Sequence, residues 1–255
     1  MNEAVRLVMH ESGAAEIVID RVDRHNAMTL PMYESLLALI GQCAGDPAVR
    51  CMLFRGAGGK SFISGTDISY FKDFRHGHEG LDYEAFVERV MDAVERIAVP
   101  TVAVIDGWAV GGGLALATVC DFRVCSDHSR FGAPIAKTLS NTLSSRNLAR
   151  LQAALGVPRV KKMLLLAEYL SAQEALACGF VYEVCPQDKL EAAAHALALR
   201  LMGLSPVTQA AVKESLRRIV AEQNLDDGDL IQSVYGSDDF HRGVAAFFSG
   251  SARPK

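Results

Sequence analysis

Two glycine-rich segments about forty residues apart constrain this chain more than any other feature. They are Gly56-Ala-Gly-Gly-Lys-Ser-Phe-Ile-Ser-Gly-Thr-Asp-Ile68 and Asp106-Gly-Trp-Ala-Val-Gly-Gly-Gly-Leu-Ala115. Each follows a short apolar run, Cys51–Arg55 and Thr101–Ile105, that reads as a buried strand. Glycine has no Cβ, so backbone N–H groups in such loops approach a ligand oxygen closely. Gly111–Gly113 leads into a helix whose first N–H groups have no partner within the helix. Those donors and the positive end of the helix dipole make an anion site. The Gly112 N–H, with a second donor from the Gly65-Thr66 peptide, makes a hole for a carbonyl oxygen that gains charge.

Other glycine-dependent chemistries fail on spacing. Gly59-Lys60-Ser61 resembles the tail of a phosphate-binding loop, but its first glycine would fall at Phe54. Gly111-x-Gly113 is followed at 116 by leucine, which breaks the dinucleotide pattern. The chain has no GxSxG elbow, no HExxH and no Cys/His cluster, so no metal site is expected. His76 and His78 read as solvated surface histidines.

A net charge of −4 argues against a nucleic-acid partner. Six cysteines without a CxxC pair sit mostly in apolar runs, as reduced core cysteines of a cytoplasmic protein do. The N-terminus lacks a signal-peptide apolar region. The apolar run Ile97–Cys120 is interrupted by Pro100, Asp106 and glycines, so a buried strand and helix are expected there and no membrane span.

The expected organisation is α/β. Leu7–Met9 and Ala15–Asp20 read as an opening hairpin, and Thr29 with Pro31 opens a helix to Cys43. Asp73–Asp82 reads as loop and Tyr83–Ile97 as amphipathic helix. Strands are expected at Phe122–Cys125 and Val181–Val184. Between them Ser171-Ala-Gln-Glu174 is a capping box whose helix Gly179 closes. From Pro186 only helices are expected: Asp188–Met202, one opened by Ser205-Pro206, Asn224–Tyr235 and Asp238–Phe248. This divides the chain into a body over 1–185 and a helical region over 186–255.

Taken together, six segments resemble the crotonase family, the enoyl-CoA hydratase/isomerase superfamily. They are Asp20-Arg-Val-Asp-Arg-His-Asn-Ala-Met28, Gly56–Ile68, Ala103–Leu114, Cys120-Asp-Phe-Arg-Val-Cys125, Leu170–Val181 and the tail Phe247–Arg253. The resemblance implies a spiral of ββα turns, a C-terminal helical trimerisation region, and assembly as a homotrimer or a hexamer of paired trimers. It implies an acyl-CoA thioester as substrate, with no separate cofactor. Carried over by position, the Thr66 and Gly112 amides form the oxyanion hole. Ala27, Ser64, Thr66, Asp67, Ile68 and Ser69 border the thioester and pantetheine, and Arg24 reaches the CoA phosphates. An arginine also suits phosphate on its own account, as a fixed fork of donors.

The pattern breaks where hydratases of this family carry two glutamates. The first position, three residues after Gly112, holds Ala115. The second, after Phe131-Gly-Ala-Pro134, holds Ile135. Hydration needs one group to activate water and one to protonate the α-carbon, and isomerisation needs at least one base. Neither alanine nor isoleucine serves. Lys137, Thr138, Ser140 and Asn141 are candidate substitutes if the run 137–146 lines the pocket; the alternative is that they are caps and loop before a helix at Arg146–Leu155. Three activities stay open: enolate chemistry without a base, such as decarboxylation of a malonyl-type thioester, or hydrolysis; hydration or isomerisation with a relocated base; and binding without catalysis. Asp121 reads as a residue satisfying backbone at a strand start.

Overall fold

The opening hairpin forms as β1 (Val5–Met9) and β2 (Ala14–Ile19), antiparallel with Leu7 opposite Ile17. The computed structural model describes residues 4–224, 228–238 and 240–242. Helix α1 (Leu30–Ala44) follows Thr29 with Pro31 in its first turn, where a missing N–H costs nothing. Next come β3 (Cys51–Gly56), β4 (Ser61–Ile63) and α2 (Gly77–Glu95). A second round gives β5 (Thr101–Ile105), β6 (Trp108–Val110) and α3 (Gly112–Val119). A third gives β7 (Phe122–Ser126), β8 (Arg130–Gly132), α4 (Ser145–Leu155) and α5 (Val157–Leu165). Then follow β9 (Leu170–Ser171), α6 (Ala172–Ala177), β10 (Glu183–Cys185), α7 (Leu190–Met202), α8 (Pro206–Arg217) and α9 (Gly228–Tyr235).

Each round places one strand in each of two sheets. The first sheet runs β1-β2-β3-β5-β7-β10, and every pairing after the hairpin is parallel. The second runs β4-β6-β8-β9. Parallel strands covered on both faces read as continuous apolar runs, which is how β3 and β5 appear in the sequence. Alternation still sorts their side chains. Met52 and Phe54 face the main core with Phe62, Phe131 and Phe180. Leu53, Val102, Val104 and Val124 face the other way and pack under Leu190, Leu197 and Leu201 of α7.

Several boundaries differ from expectation for identifiable reasons. Helix α2 begins at Gly77 rather than Tyr83, because the Glu79 carboxylate accepts the Arg75 and His76 amides at 2.5 and 2.6 Å. Strand β10 starts at Glu183 rather than Val181; the Val181 amide is already held by Ala175 O at 3.1 Å. Helix α7 starts at Leu190 after a 3-10 turn over Gln187–Lys189. The Ser171–Glu174 box and the Ser205 cap form as read. Asp121 takes the Thr101 amide at 2.7 Å, as expected, and also the Lys213 ammonium, which ties α8 to the body. Of the helix expected from Asn224, Gly228–Tyr235 is helical. Residues 225–227 and most of the expected Asp238–Phe248 helix, with the Phe247–Arg253 tail, lie outside the described residues.

All six cysteines are free, and all but Cys178 are buried. Among the described residues no helix is long and apolar enough to cross a membrane. The apolar run 97–120 is divided into β5, β6 and α3.

Candidate active site

The first glycine segment is folded too tightly at Gly56 to admit a side chain there. A Cβ on Gly56 would lie 2.1 Å from Phe62 O and 2.4 Å from Ser61 O. Buried Asn26 staples this crossing from below, donating to Ala57 O and Ser61 O at 2.9 and 2.7 Å and accepting the Arg21 amide at 2.9 Å. Beyond β4, Gly65 turns with φ of +108°, a conformation a side chain strains. Thr66 then makes an isolated parallel bridge with Met28, in which Met28 N donates to Gly65 O and Asp67 N to Met28 O, each at 2.8 Å. In a parallel bridge the paired residue's own N–H points away from its partner strand. The Thr66 amide therefore faces the opposite side and has no acceptor among the described residues.

The second segment meets the first at that side. Gly107 has φ of +79°, and a Cβ there would lie 2.0 Å from Lys60 O. Strand β6 pairs in parallel with β4, and Gly111 at φ of +54° swings the chain into α3. A Cβ on Gly65 would stand 3.6 Å from the Gly112 nitrogen, and one on Gly112 would stand 3.7 Å from the Gly65 Cα. The Gly65-Thr66 peptide thus lies against the first turn of α3. The Gly112 amide also has no acceptor among the described residues. Two free amides side by side, one at a helix N-terminus, suit an oxygen that carries negative charge.

Hydroxyl groups crowd the same spot. Thr66 Oγ1 lies 3.1 Å from the Tyr33 hydroxyl and 2.7 Å from the Tyr83 hydroxyl. A Cβ on Gly112 would come within 2.7 Å of the Tyr33 hydroxyl. Burial pushes the Tyr83 phenol up to about 12 and the buried Tyr33 phenol higher still, so both are neutral O–H groups at ordinary pH. Tyr33 packs edge-on against Phe86, and Tyr83 against Phe71. Sequence reading missed this pair. The apolar period puts each tyrosine on a helix but carries no sign that two helices aim phenols at one threonine.

The other predicted residues sort into two groups. The Met28–Thr66 bridge sets the segment that holds Arg24 and Ala27 alongside the segment that holds Ser64, Asp67, Ile68 and Ser69. Ser64 N donates to His25 O at 3.2 Å, and Arg21 Nη1 donates to Ala27 O at 3.0 Å. Arg24 is exposed and pairs only loosely with Asp23, at 3.7 Å. Ile68 is 66 % exposed. Asp67 caps the following 3-10 turn through Ser69 and pairs with Arg21 at 2.7 Å. Hydrogen bonds from Ser69 and Arg21 pull its carboxyl down to about 2, so it is a structural anion with no capacity as a base near neutrality. Lys137, Thr138 and Asn141 form the second group. They stand exposed on the turn after Ile135, where Thr138 Oγ1 donates to Pro134 O at 3.1 Å. No hydrogen bond joins them to Thr66, Tyr33 or Gly112 among the described residues.

Ala115 sits on the first turn of α3, half-buried and packed on the core, and Ile135 is half-buried after Pro134. Glu84 follows Tyr83, and burial pushes its carboxyl up, but it is engaged by the Ser144 amide at 2.8 Å, just ahead of α4. Among the described residues no group of three or more His, Cys, Asp or Glu is arranged to hold a metal ion.

Comparison with known proteins gives a consistent result. The family model for enoyl-CoA hydratase/isomerase matches residues 9–249. A short-chain-enoyl-CoA hydratase of Clostridium acetobutylicum is 30% identical over 208 residues, covering 82% of this chain and 79% of that protein. A crotonyl-CoA hydratase of Syntrophomonas wolfei is 26% identical, covering 93% of this chain and 92% of that one. The crystal structure of an enoyl-CoA hydratase/carnithine racemase from Magnetospirillum magneticum superposes with a TM-score of 0.88 at 28% identity, covering 100% of this chain and 96% of that one. The two sheets with C-terminal helices are therefore the α/β crotonase fold, and the chain belongs to the enoyl-CoA hydratase/isomerase family.

Proposed function

We propose that this protein holds an acyl-CoA thioester with its carbonyl oxygen between the Thr66 and Gly112 amides, and that it stabilises an enolate there without a carboxylate base. The observation that carries this reading is the juxtaposition of two acceptor-free amides on contacting glycine loops, with alanine and isoleucine at 115 and 135. An enolate normally forms when a base removes an α-proton. In a malonyl-type thioester it forms instead when CO2 leaves, and no base is required. Decarboxylation of such a thioester therefore fits this site best.

The hydratase names of the relatives favour a second reading, hydration with a base relocated to Lys137, Thr138 or Asn141. The exposure of those three residues weighs against it. A panel of acyl-CoA thioesters incubated in heavy water and read by mass spectrometry separates the outcomes. Loss of CO2 with one α-deuterium gained supports the proposal. Hydration of crotonyl-CoA that disappears on replacing one residue of the 137–141 turn overturns it. Tight calorimetric binding with no conversion of any thioester leaves a CoA-thioester binder.

Two consequences follow for the same site. Asp67 stays ionised down to about 2 and Tyr83 neutral up to about 12, so neither titrates in between. The profile of kcat/KM is then flat over roughly pH 5 to 9, without the acid limb that a carboxylate base gives. A steady-state pH series checks this, and a limb near pH 5 counts against it. At the rim, Arg24→Ala weakens CoA-thioester binding by several-fold at low salt and leaves kcat unchanged, as expected for an exposed phosphate contact. Calorimetry at two ionic strengths is the measure, since the effect shrinks when salt screens it.

The helical region from residue 186 completes the proposal as the oligomerisation region, in a homotrimer or hexamer. Exposed Leu199, Leu204, Val212, Leu216 and Ile219 support a buried role for its outer faces.

A further inference from the structure

We propose that the Tyr33 hydroxyl is the proton donor to the enolate carbon, and that the Thr66 and Tyr83 hydroxyls form the chain that reloads it. This rests on the reading of the Thr66 and Gly112 amides as the site of the thioester oxygen.

Three hydroxyls carry three protons, and the two contacts among them, 3.1 and 2.7 Å, use two. One proton is left over, and it lies on an end hydroxyl whenever Thr66 donates to one of the tyrosines. When Tyr83 donates to Thr66 and Thr66 to Tyr33, the spare proton sits on Tyr33, whose side chain is buried. The Tyr33 hydroxyl is the atom a Gly112 Cβ would strike, at 2.7 Å. An oxygen held by the Gly112 N–H is thus one hydrogen bond from the group against which that hydroxyl rests. When all three hydroxyls turn round, the spare proton position moves to Tyr83, which is only half-buried. Thr66 then serves twice, through its amide toward the oxygen and through its hydroxyl as the middle link. The aromatic contacts of Tyr33 with Phe86 and of Tyr83 with Phe71 hold both phenols in place.

The step balances without an added reagent. The bond from the α-carbon to the carboxylate breaks, its electron pair forms the enolate, and CO2 leaves. The enolate then re-forms the thioester carbonyl as its α-carbon takes the Tyr33 proton. The Tyr33 oxygen takes the Thr66 proton, Thr66 takes that of Tyr83, and Tyr83 recovers one from water. The net change is one proton consumed and one CO2 released. Neutral phenols suit this direction, since they donate to a carbanion-like centre and do not abstract from an ordinary acyl group.

Methylmalonyl-CoA in heavy water is the probe, with propionyl-CoA for binding. The wild-type protein is expected to give propionyl-CoA carrying one α-deuterium in a single configuration. Tyr33→Phe keeps the ring and its packing, so it is expected to bind propionyl-CoA within threefold of wild type while placing deuterium in both configurations. Tyr83→Phe is expected to keep the single configuration but to turn over about tenfold more slowly, with a larger solvent isotope effect. A Tyr33→Phe protein that matches wild type in rate and configuration overturns the relay alone. So does one that has lost propionyl-CoA binding, because the hydroxyl then only shapes the site. If the wild-type protein releases no CO2 from methylmalonyl-CoA, the underlying reading fails and the relay with it.

Discussion

Replacing Gly112 with alanine keeps the backbone N–H but sets a methyl group against the Tyr33 hydroxyl, and is expected to lower turnover by roughly 100-fold, the scale on which a misplacement of about 1 Å is felt, while the protein still folds. One methyl group has two separable effects here. Gly112 has an ordinary negative φ, unlike Gly111 at +54°, so the backbone admits alanine. Alanine at a helix start even stabilises by up to about 1 kcal/mol relative to glycine. The new Cβ meets only one close atom, the Tyr33 hydroxyl at 2.7 Å, and the next contact is Gly65 Cα at 3.7 Å. A hydroxyl at the end of a side chain can shift where backbone cannot. The shift is nonetheless expected to be harmful, because Tyr33 is tied to Thr66, whose amide is the second donor proposed for the thioester oxygen. The melting temperature therefore stays within a few degrees of wild type as kcat falls. Adding Tyr33→Phe removes the clash without restoring the rate. A Gly112→Ala protein with full activity would mean that the Tyr33 and Thr66 contacts beside the Gly112 amide do not matter to turnover.

The same pair of loops shows what a sequence can disclose about such a site. Glycine leaves a visible signature wherever backbone must approach backbone, so Gly56, Gly107 and Gly111–Gly113 announced a close crossing, and the structure contains it. Alanine at 115 and isoleucine at 135 were equally visible, since a side chain without a carboxylate needs no geometry to detect. Contacts between side chains on distant helices are another matter. Tyr33 and Tyr83 stand 33 and 17 residues from Thr66, and their rings fit an amphipathic helix whether or not the hydroxyls meet anything. Asn26 was legible only as part of a motif, although its left-handed φ of +58° and its bonds to Ala57 and Ser61 make it the staple of the first loop. Boundary errors have a similar origin. Gly77 and Gly80 look like breaks, yet both face open space, and a single carboxylate, Glu79, is enough to start α2 early.

Gly113, one residue along, is expected to behave in the opposite way. A Cβ there would lie 2.0 Å from Ile63 O, 2.7 Å from Ile63 C and 2.9 Å from Ile63 Cβ. These are atoms of β4, and β4 has nowhere to go. Ile63 pairs with Ala109 of β6, and Ser61 Oγ donates to Trp108 O at 3.0 Å. Ile63 itself is buried. Gly113→Ala must therefore push α3 away from the second sheet, opening the packing around Leu114 and Ala117. Overpacking against backbone of this kind costs about 3–4 kcal/mol, which exceeds the helix-propensity gain of about 1 kcal/mol. For a chain of this size the melting temperature falls by roughly 10 °C. Thermal melts of the two alanine variants side by side make the contrast measurable. A Gly113→Ala protein that melts with wild type would mean that α3 does not rest on β4, and the amides of Thr66 and Gly112 would then lose the contact that sets them side by side.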